Sequence, residues 1–292
     1  VHLVWPPLGI DTFSNFISSY CKYNSGYPHE LVLLFNGIQT QKELSPYLKI
    51  ADDKKVKYSI LAHAQPAQDL DAYFWAAEQL NTKHLLFVNS YTEFMYDNWL
   101  SKYMQHSMFD DIGLIGATGS WESYFRSVFI DNNLKWERHK SFQQNFRKYK
   151  LLVKSFVYWR FLFPDFPNPH VRTNAFMISR ELMRSLKHEP LKNKMAAFKF
   201  ESGVNGLTVQ VMKKGLRPIL IDKNGNAYSI NEWKHASIFW SSEQENLLIS
   251  DNQTRKYEFG DDKTRQWLSL HAWGKANQSL TSNSTALHSI TN

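Results

Sequence analysis

The 292-residue chain contains one cysteine, Cys21. It can form no internal disulfide and no cysteine-based zinc site, and a reducing compartment is expected. No apolar run approaches the ~20 residues needed to cross a bilayer. The N-terminus has no basic leader and no cleavage site, so no signal peptide is expected. Val1 is not a start methionine, which is compatible with a processed protein or a piece of a longer one. Neither G-x-G-x-x-G nor the P-loop pattern occurs, which speaks against a Rossmann dehydrogenase and a P-loop enzyme. Gly113, Gly116 and Gly119 recur every third residue, yet no helix-opening pattern follows them, and they read as a flexible strand end. His63, His170, His235 and His271 show no H-x-H or H-E-x-x-H spacing, so a histidine metal site is unsupported. No G-x-S-x-G is present, and Cys21 falls on a helix face, which leaves no hydrolase nucleophile. No internal repeat is visible.

Core-forming material is ample, with 43% hydrophobic and 15% aromatic residues, so the chain is globular. Its net charge of +7 suits an anionic ligand, an acidic membrane surface or nucleic acid, and selects none of them. Sequons at Asn252, Asn277 and Asn283 are triplets common by chance, and no glycosylation is read from them.

Strand and helix patterns alternate through the first ~120 residues. Strands are expected at Val1–Trp5, Leu31–Phe35, Val56–Ala62, His84–Val88 and Ile112–Ile115. Helices are expected at Asp11–Tyr20 (with Asp11 as N-cap), Lys42–Leu48, Asp69–Leu80 and Asp97–His106. This order predicts an α/β fold, a mainly parallel sheet with helices on both faces. Ligands of such sheets bind beyond the carboxyl ends of the strands. That directs attention to Pro6-Pro7, Asn36-Gly37, His63, Asn89-Ser90 and Ala117-Thr118-Gly119. Residues 121–166 form an aromatic and basic insertion, expected to be helical. A strand follows at Ala175–Ser179 and a helix from Arg180. Residues 1–274 read as one domain, and 275–292, rich in Ser, Thr and Asn, as a disordered tail.

Asp69-Leu-Asp71 has the spacing of a cation and diphosphate ligand pair, but it opens a helix. N-capping by Asp69 and a favourable dipole account for it equally well; Asp71 is retained as a donor-side candidate. The segment Arg126–Arg160 could bind nucleic acid or an anionic membrane surface, or be a helical flap whose aromatics pack on the sheet and whose cations stay wet. The stretch Phe198–Asp222 is the most organised: an aromatic run, Glu201, a turn at Ser202-Gly203, a helix through Leu207, Val211 and Met212 to Gly215, and a strand at Pro218–Ile221. Glu201 would stand at the mouth of that helix, suited to a general base or simply to dipole stabilisation.

Phe200-Glu201, followed by Leu207, Lys213-Lys214-Gly215 and Ile219-Leu220, resembles the F-x-E-D base motif of GT-A fold, nucleotide-sugar-dependent glycosyltransferases, especially inverting family 2. Pro167–Leu186, with Arg172–Arg180 within it, resembles the preceding acceptor-side strand and helix. The resemblance covers roughly residues 1–225. Two positions depart from the pattern. Asn89-Ser90-Tyr91-Thr92-Glu93 stands where the family has Asp-x-Asp, and Ser202 replaces the second acid of the base motif.

The resemblance implies glycosyl transfer from a UDP-, GDP- or dTDP-sugar to a glycan or lipid-linked acceptor, in polysaccharide or glycoconjugate synthesis. Glu201 would be the base. Pro6, Pro7, Asn36, His63, Asp71, Asn89, Ser90 and Arg172 would hold the donor, with Arg172 carrying charge for the leaving group. Trp121, Glu122, His170 and Asn174 would shape the acceptor or sugar side. Manganese or magnesium is compatible with the family, but Glu93 alone is a weak ligand, and no cofactor is assigned. A cytoplasmic location is expected, with peripheral contact of residues 126–160 at the inner face of a membrane. The alternatives are an inactive GT-A-like domain that binds a glycan or a partner, a nucleotidyltransferase lacking visible acidic ligands, and nucleic-acid binding without a recognisable motif.

Overall fold

The computed structural model describes residues 1–38, 40–126 and 141–275. Residues 276–292 of the predicted tail (275–292) and residues 127–140 of the insertion lie outside these.

Seven strands of largely apolar sequence build the main sheet, buried on both faces at its centre and half-exposed at one edge. They are β1 (His2–Val4), β2 (Val32–Asn36), β3 (Ser59–His63), β4 (His84–Val88), β6 (Ile112–Gly116), β9 (Ala175–Ser179) and β10 (Arg217–Ile221). With β11 (Ala227–Tyr228) they form an eight-stranded sheet in the order β11-β10-β6-β9-β4-β1-β2-β3. The strands β1, β2, β3 and β4 run parallel, as do β6 and β10; β9 is inserted antiparallel between β4 and β6. The fold is therefore the expected α/β class with a mainly parallel sheet.

Alternate side chains along each strand enter opposite layers. Leu3, Leu34, Phe87, Leu114, Phe176 and Leu220 face one core. There they meet α3 (Asp69–Gln79), α6 (Arg180–Ser185) and α8 (Leu207–Lys213). Val4, Phe35, Val88, Ile115, Met177 and Ile221 face the other. That layer holds α1 (Ile10–Lys22), α2 (Gln41–Asp53) and α4 (Trp99–Ser107). The first core continues into the C-terminal segment through Trp233, Phe239, Trp240 and Trp273, which covers one end of the sheet. The remaining helices are α5 (Phe142–Leu162), α7 (Lys194–Ser202), α9 (Asn252–Glu258) and α10 (Asp262–Trp273). No helix among the described residues is long and apolar enough to cross a membrane.

Several boundaries differ from expectation for local reasons. Asp11 is not a cap: Gly9 precedes the first turn of α1, and Asp11 lies within it. Asp97 does not open α4. Its carboxylate accepts the Asn24 N–H at 2.7 Å, and Asn98, in the left-handed region at φ 60°, starts the helix. Strand β3 starts at Ser59 because its pairing with β2 begins at Val32. The Gly116 position is not a flexible strand end. A Cβ there would lie 2.5 Å from Val171 Cγ1 and 3.0 Å from Leu220 Cδ2, so glycine permits the close crossing of residues 170–171.

Phe87 is fully buried between Tyr73 (ring centroids 4.6 Å apart) and Phe176 (5.4 Å). Phe87→Ala should lower stability by about 3–5 kcal/mol. Urea unfolding should show a lower midpoint at unchanged slope; an unchanged midpoint would contradict this packing role.

Candidate functional site

The site is built around residues 168–174, which cross the carboxyl edge of the sheet before entering β9. Buried backbone polar groups must be paired, and each of these finds a partner on a different element. The Asn168 N–H donates to the Trp121 carbonyl at 2.9 Å, and the Arg172 N–H to the Thr118 carbonyl at 3.0 Å. The Val171 N–H donates to Thr208 Oγ1 at 2.9 Å. The Thr173 N–H donates to Glu201 Oε1 at 3.0 Å. The Asn174 carbonyl accepts the Asn89 N–H at 2.8 Å. Ser120 and His170 also pair through a short antiparallel ladder, β7 (Gly119–Ser120) with β8 (His170–Val171).

Glu201 is therefore on the carboxyl edge, but not at a helix start. It is the penultimate residue of α7, where the helix dipole disfavours a negative charge. The dipole explanation for this acid does not apply. Its carboxylate is held by the Thr173 amide, and its turn is held by Asn168, whose Nδ2 donates to the Ser202 carbonyl at 2.7 Å and to the Glu122 carbonyl at 3.3 Å. A Cβ on Gly203 would collide with the Lys199 carbonyl oxygen, so this turn has no room for a side chain.

Beside Glu201 stands Asp69, in the first turn of α3. Its outer edge reaches solvent and its inner side is packed by protein. Burial first, and repulsion from Glu201 second, raise its pKa above the usual 3.8. Asp71, two residues on, points about 200° around the helix from Asp69. One turn further, the Tyr73 hydroxyl is buried without a hydrogen-bond partner. Burial, then Asp69, pushes its ionisation well above the ordinary range.

His170 is buried beneath the crossing segment. Its Nδ1 lies 2.9 Å from the Asn168 carbonyl, which can only accept, so Nδ1 carries the proton and Nε2 faces Ser120 Oγ at 3.4 Å. Burial lowers its pKa, opposed by Glu201 and by that carbonyl, with Arg172 lowering it further. A neutral brace results. Arg172 projects over the rings of Phe239 (5.0 Å) and Trp240 (5.6 Å) and meets Glu122 at 3.5 Å. Trp240 is in the left-handed region at φ 45°, as are Ser237, Ser242 and Gln244. The strain is held by buried bonds: Gln244 Oε1 accepts the Trp240 N–H, and the Trp240 indole donates to the Gln253 carbonyl. Asn174 accepts from Thr118 Oγ1 at 2.7 Å.

The other candidates line the same edge further along. Pro6 and Pro7 form a 3-10 turn after β1. Asn36 is fully buried, and its amide pairs both ways with the Ala67 backbone, tying the end of β2 to the segment that leads into α3. His63 ends β3 with Nδ1 2.6 Å from the Gln65 carbonyl. Asn89 Oδ1 accepts from Tyr91 N and Thr92 Oγ1, closing the turn after β4. Ser90 is buried and donates to the Leu3 carbonyl. Trp121 is buried, its indole bonded to the Ile230 carbonyl. Glu93 sits on the two-residue strand β5 (Glu93–Phe94) and pairs with Arg255 at 3.1 Å.

The residues after β4 do not fit a divalent cation. Asn89 Oδ1 accepts two bonds within its turn, Ser90 is buried with its hydroxyl turned to the Leu3 carbonyl, and the one acid, Glu93, faces a guanidinium. Among the described residues no group of three or more His, Cys, Asp or Glu side chains could hold a metal ion.

The sequence pattern singled out Asp69 only as part of an acidic pair or as an N-cap, not as the neighbour of Glu201. Asn168 and the Phe239-Trp240 wall gave no signal, because their roles depend on contacts between distant segments.

No protein-family model matches this chain, and no curated protein matches it. Among solved structures the chain is similar to the mannosyltransferase PcManGT from Pyrobaculum calidifontis, in complex with GDP-Man and Mn2+. Identity is 11% over 74% of this chain and 52% of that one, with a TM-score of 0.43. It is also similar to glucosyl-3-phosphoglycerate synthase from Mycobacterium tuberculosis, in complex with Mn2+ and UDP, at 13% identity over 75% and 68% of the chains and a TM-score of 0.39. A third is HddC from Yersinia pseudotuberculosis, at 12% identity over 73% and 76% and a TM-score of 0.35. The likeness is a distant one of fold, and the chain spans about half the length of the mannosyltransferase.

Because its pKa is raised in the folded state, the Asp69 carboxyl gives up its proton at lower pH in the unfolded chain than in the folded one. Its contribution therefore opposes folding increasingly as pH rises above the unfolded value. Asp69→Asn should raise Tm at about pH 7, and the gain should fade at about pH 3. An equal Tm for the two proteins at about pH 7 would refute the raised value.

Proposed function

We propose that the chain is a glycosyltransferase that moves a sugar from a nucleotide-sugar donor to a hydroxyl of a glycan or lipid-linked acceptor, with inversion. The observation that carries this reading is Glu201, a carboxylate on the carboxyl edge of the sheet. It is oriented by a backbone amide and flanked by Asp69 and by the Arg172 shelf. In the proposed reaction Glu201 takes the acceptor hydroxyl proton as the oxygen attacks the anomeric carbon. The bond from that carbon to the diphosphate oxygen breaks on the opposite face, and its electron pair leaves with the nucleoside diphosphate. Arg172, fixed by stacking, is the cation on this edge suited to the developing charge.

The nucleotide is assigned to the cleft beside Pro6-Pro7, Asn36 and His63, with Asp71, Asn89 and Ser90 shaping its wall. The sugar or acceptor side is assigned to Trp121, Glu122, His170 and Asn174. Residues 1–274 would act as a single domain. The absence of free acids after β4 favours one other reading, a domain that binds a nucleotide sugar or glycan without turning it over.

Glu201→Gln should lower turnover by about 10²–10⁴-fold while donor affinity is preserved. Suitable donors are found first by thermal shift against UDP-, GDP- and dTDP-sugars, with and without manganese. Near-normal turnover in the variant would end the base assignment. Stabilisation by a donor with no turnover over a broad acceptor panel would favour the binding domain.

A further inference from the structure

Helix α5 (Phe142–Leu162) is unusual in charge and in what it exposes. Its sequence carries Arg147, Lys148, Lys150, Lys154 and Arg160 and no acidic residue. Phe146, Lys150, Val157 and Phe161 recur at i, i+4, i+11 and i+15, which places them on one stripe. That stripe faces outward: Phe146 is 60%, Val157 49% and Phe161 77% exposed. Tyr158 and Phe156 beside it are exposed too, and Val204 extends the apolar surface at the helix end.

The opposite side is anchored. Trp159 packs on Tyr124 (5.4 Å) and Phe163 (5.9 Å), and Tyr124 packs on Phe198 of α7 (5.3 Å). The Leu162 carbonyl accepts the Val204 N–H at 3.1 Å, three residues beyond Glu201. The helix is thus fixed to the candidate active edge while a mixed aromatic and cationic stripe points to solvent.

We propose that this stripe is a membrane-docking surface for an anionic bilayer. Cations of one sign attract acidic headgroups, each contributing near the surface. Phe146, Val157 and Phe161 have the apolar reach to enter the headgroup–acyl boundary, as interfacial helices do. A nucleic acid would use the cations but leave the Val157–Phe161 apolar ridge unexplained. The helix lies on the bilayer and does not span it, since no described helix is long and apolar enough to cross. Docking in this pose would bring the Glu201 turn close to the lipid surface.

The test uses the full chain and no donor, so its failure is distinct from failure of the glycosyl-transfer reading. The protein is sedimented with vesicles of phosphatidylcholine, and with vesicles containing about one third phosphatidylglycerol. The expected result is co-sedimentation with the anionic vesicles alone, reversed at about 0.5 M salt. The double variants Arg147→Glu/Lys150→Glu and Phe146→Ala/Phe161→Ala should each lower the partition coefficient about tenfold or more. All four side chains are exposed, and circular dichroism checks that the variants fold. Equal sedimentation with neutral and anionic vesicles overturns the proposal for the unmodified protein, whatever the variants do. So does wild-type partitioning by both folded variants, and so does variant-sensitive binding to single-stranded RNA with no vesicle binding.

Discussion

The architecture of the candidate site depends on one constraint: residues 168–174 cross the carboxyl edge of the sheet at close range, and their buried backbone groups must be paired. A crossing chain of this kind has no ladder partner of its own along most of its length. It borrows acceptors instead, from the Trp121 and Thr118 carbonyls, from Thr208 Oγ1 and from Glu201 Oε1. Each loan ties a different element to the crossing. The short approach is allowed by Gly116, where any side chain would strike Val171 and Leu220. Glu201 thus has two tasks, since the amide that orients its carboxylate is also one whose burial requires an acceptor.

The electrostatics follow from the same crossing. It places His170 underneath, buried and neutral, and Arg172 on top, over two aromatic rings and beside Glu122. It brings α7 against the start of α3, so that Glu201 and Asp69 repel each other and the latter holds its proton to higher pH. A cation and a pair of acids on one edge suit a reaction in which a proton is removed on one side and negative charge appears on the other. The segment 237–244 bears backbone strain at Trp240, and buried bonds from Gln244 and to Gln253 maintain it. Those bonds hold in place the shelf on which Arg172 rests.

Much of the sheet was legible because its signal is local. Runs such as Leu-Leu-Phe-Val and Leu-Val-Leu-Leu-Phe are short, apolar and closed by turn residues, as buried strands are, and the helices between them show a 3.6-residue period. Helix ends were less legible. Asp97 resembles an N-cap by type, but it bonds to Asn24, 73 residues away in sequence. Gly116 looked like a loose strand end, whereas its missing side chain is a packing requirement. The direction of β9 could not be read, because an inserted antiparallel strand has the same apolar pattern as a parallel one.

The sequence by itself determined the α/β class, the two-sided sheet and the prominence of Glu201, since all three rest on periodicity or on a short motif. The tertiary structure decided the rest. It moved Glu201 from the start of one helix to the end of the preceding one, set Asp69 beside it, and gave Arg172 an aromatic shelf drawn from residues more than sixty positions downstream. The physical reason is that a general base or a cation acquires its properties from neighbours in space. Those neighbours were selected by the pairing demands of a buried backbone, which no local pattern records.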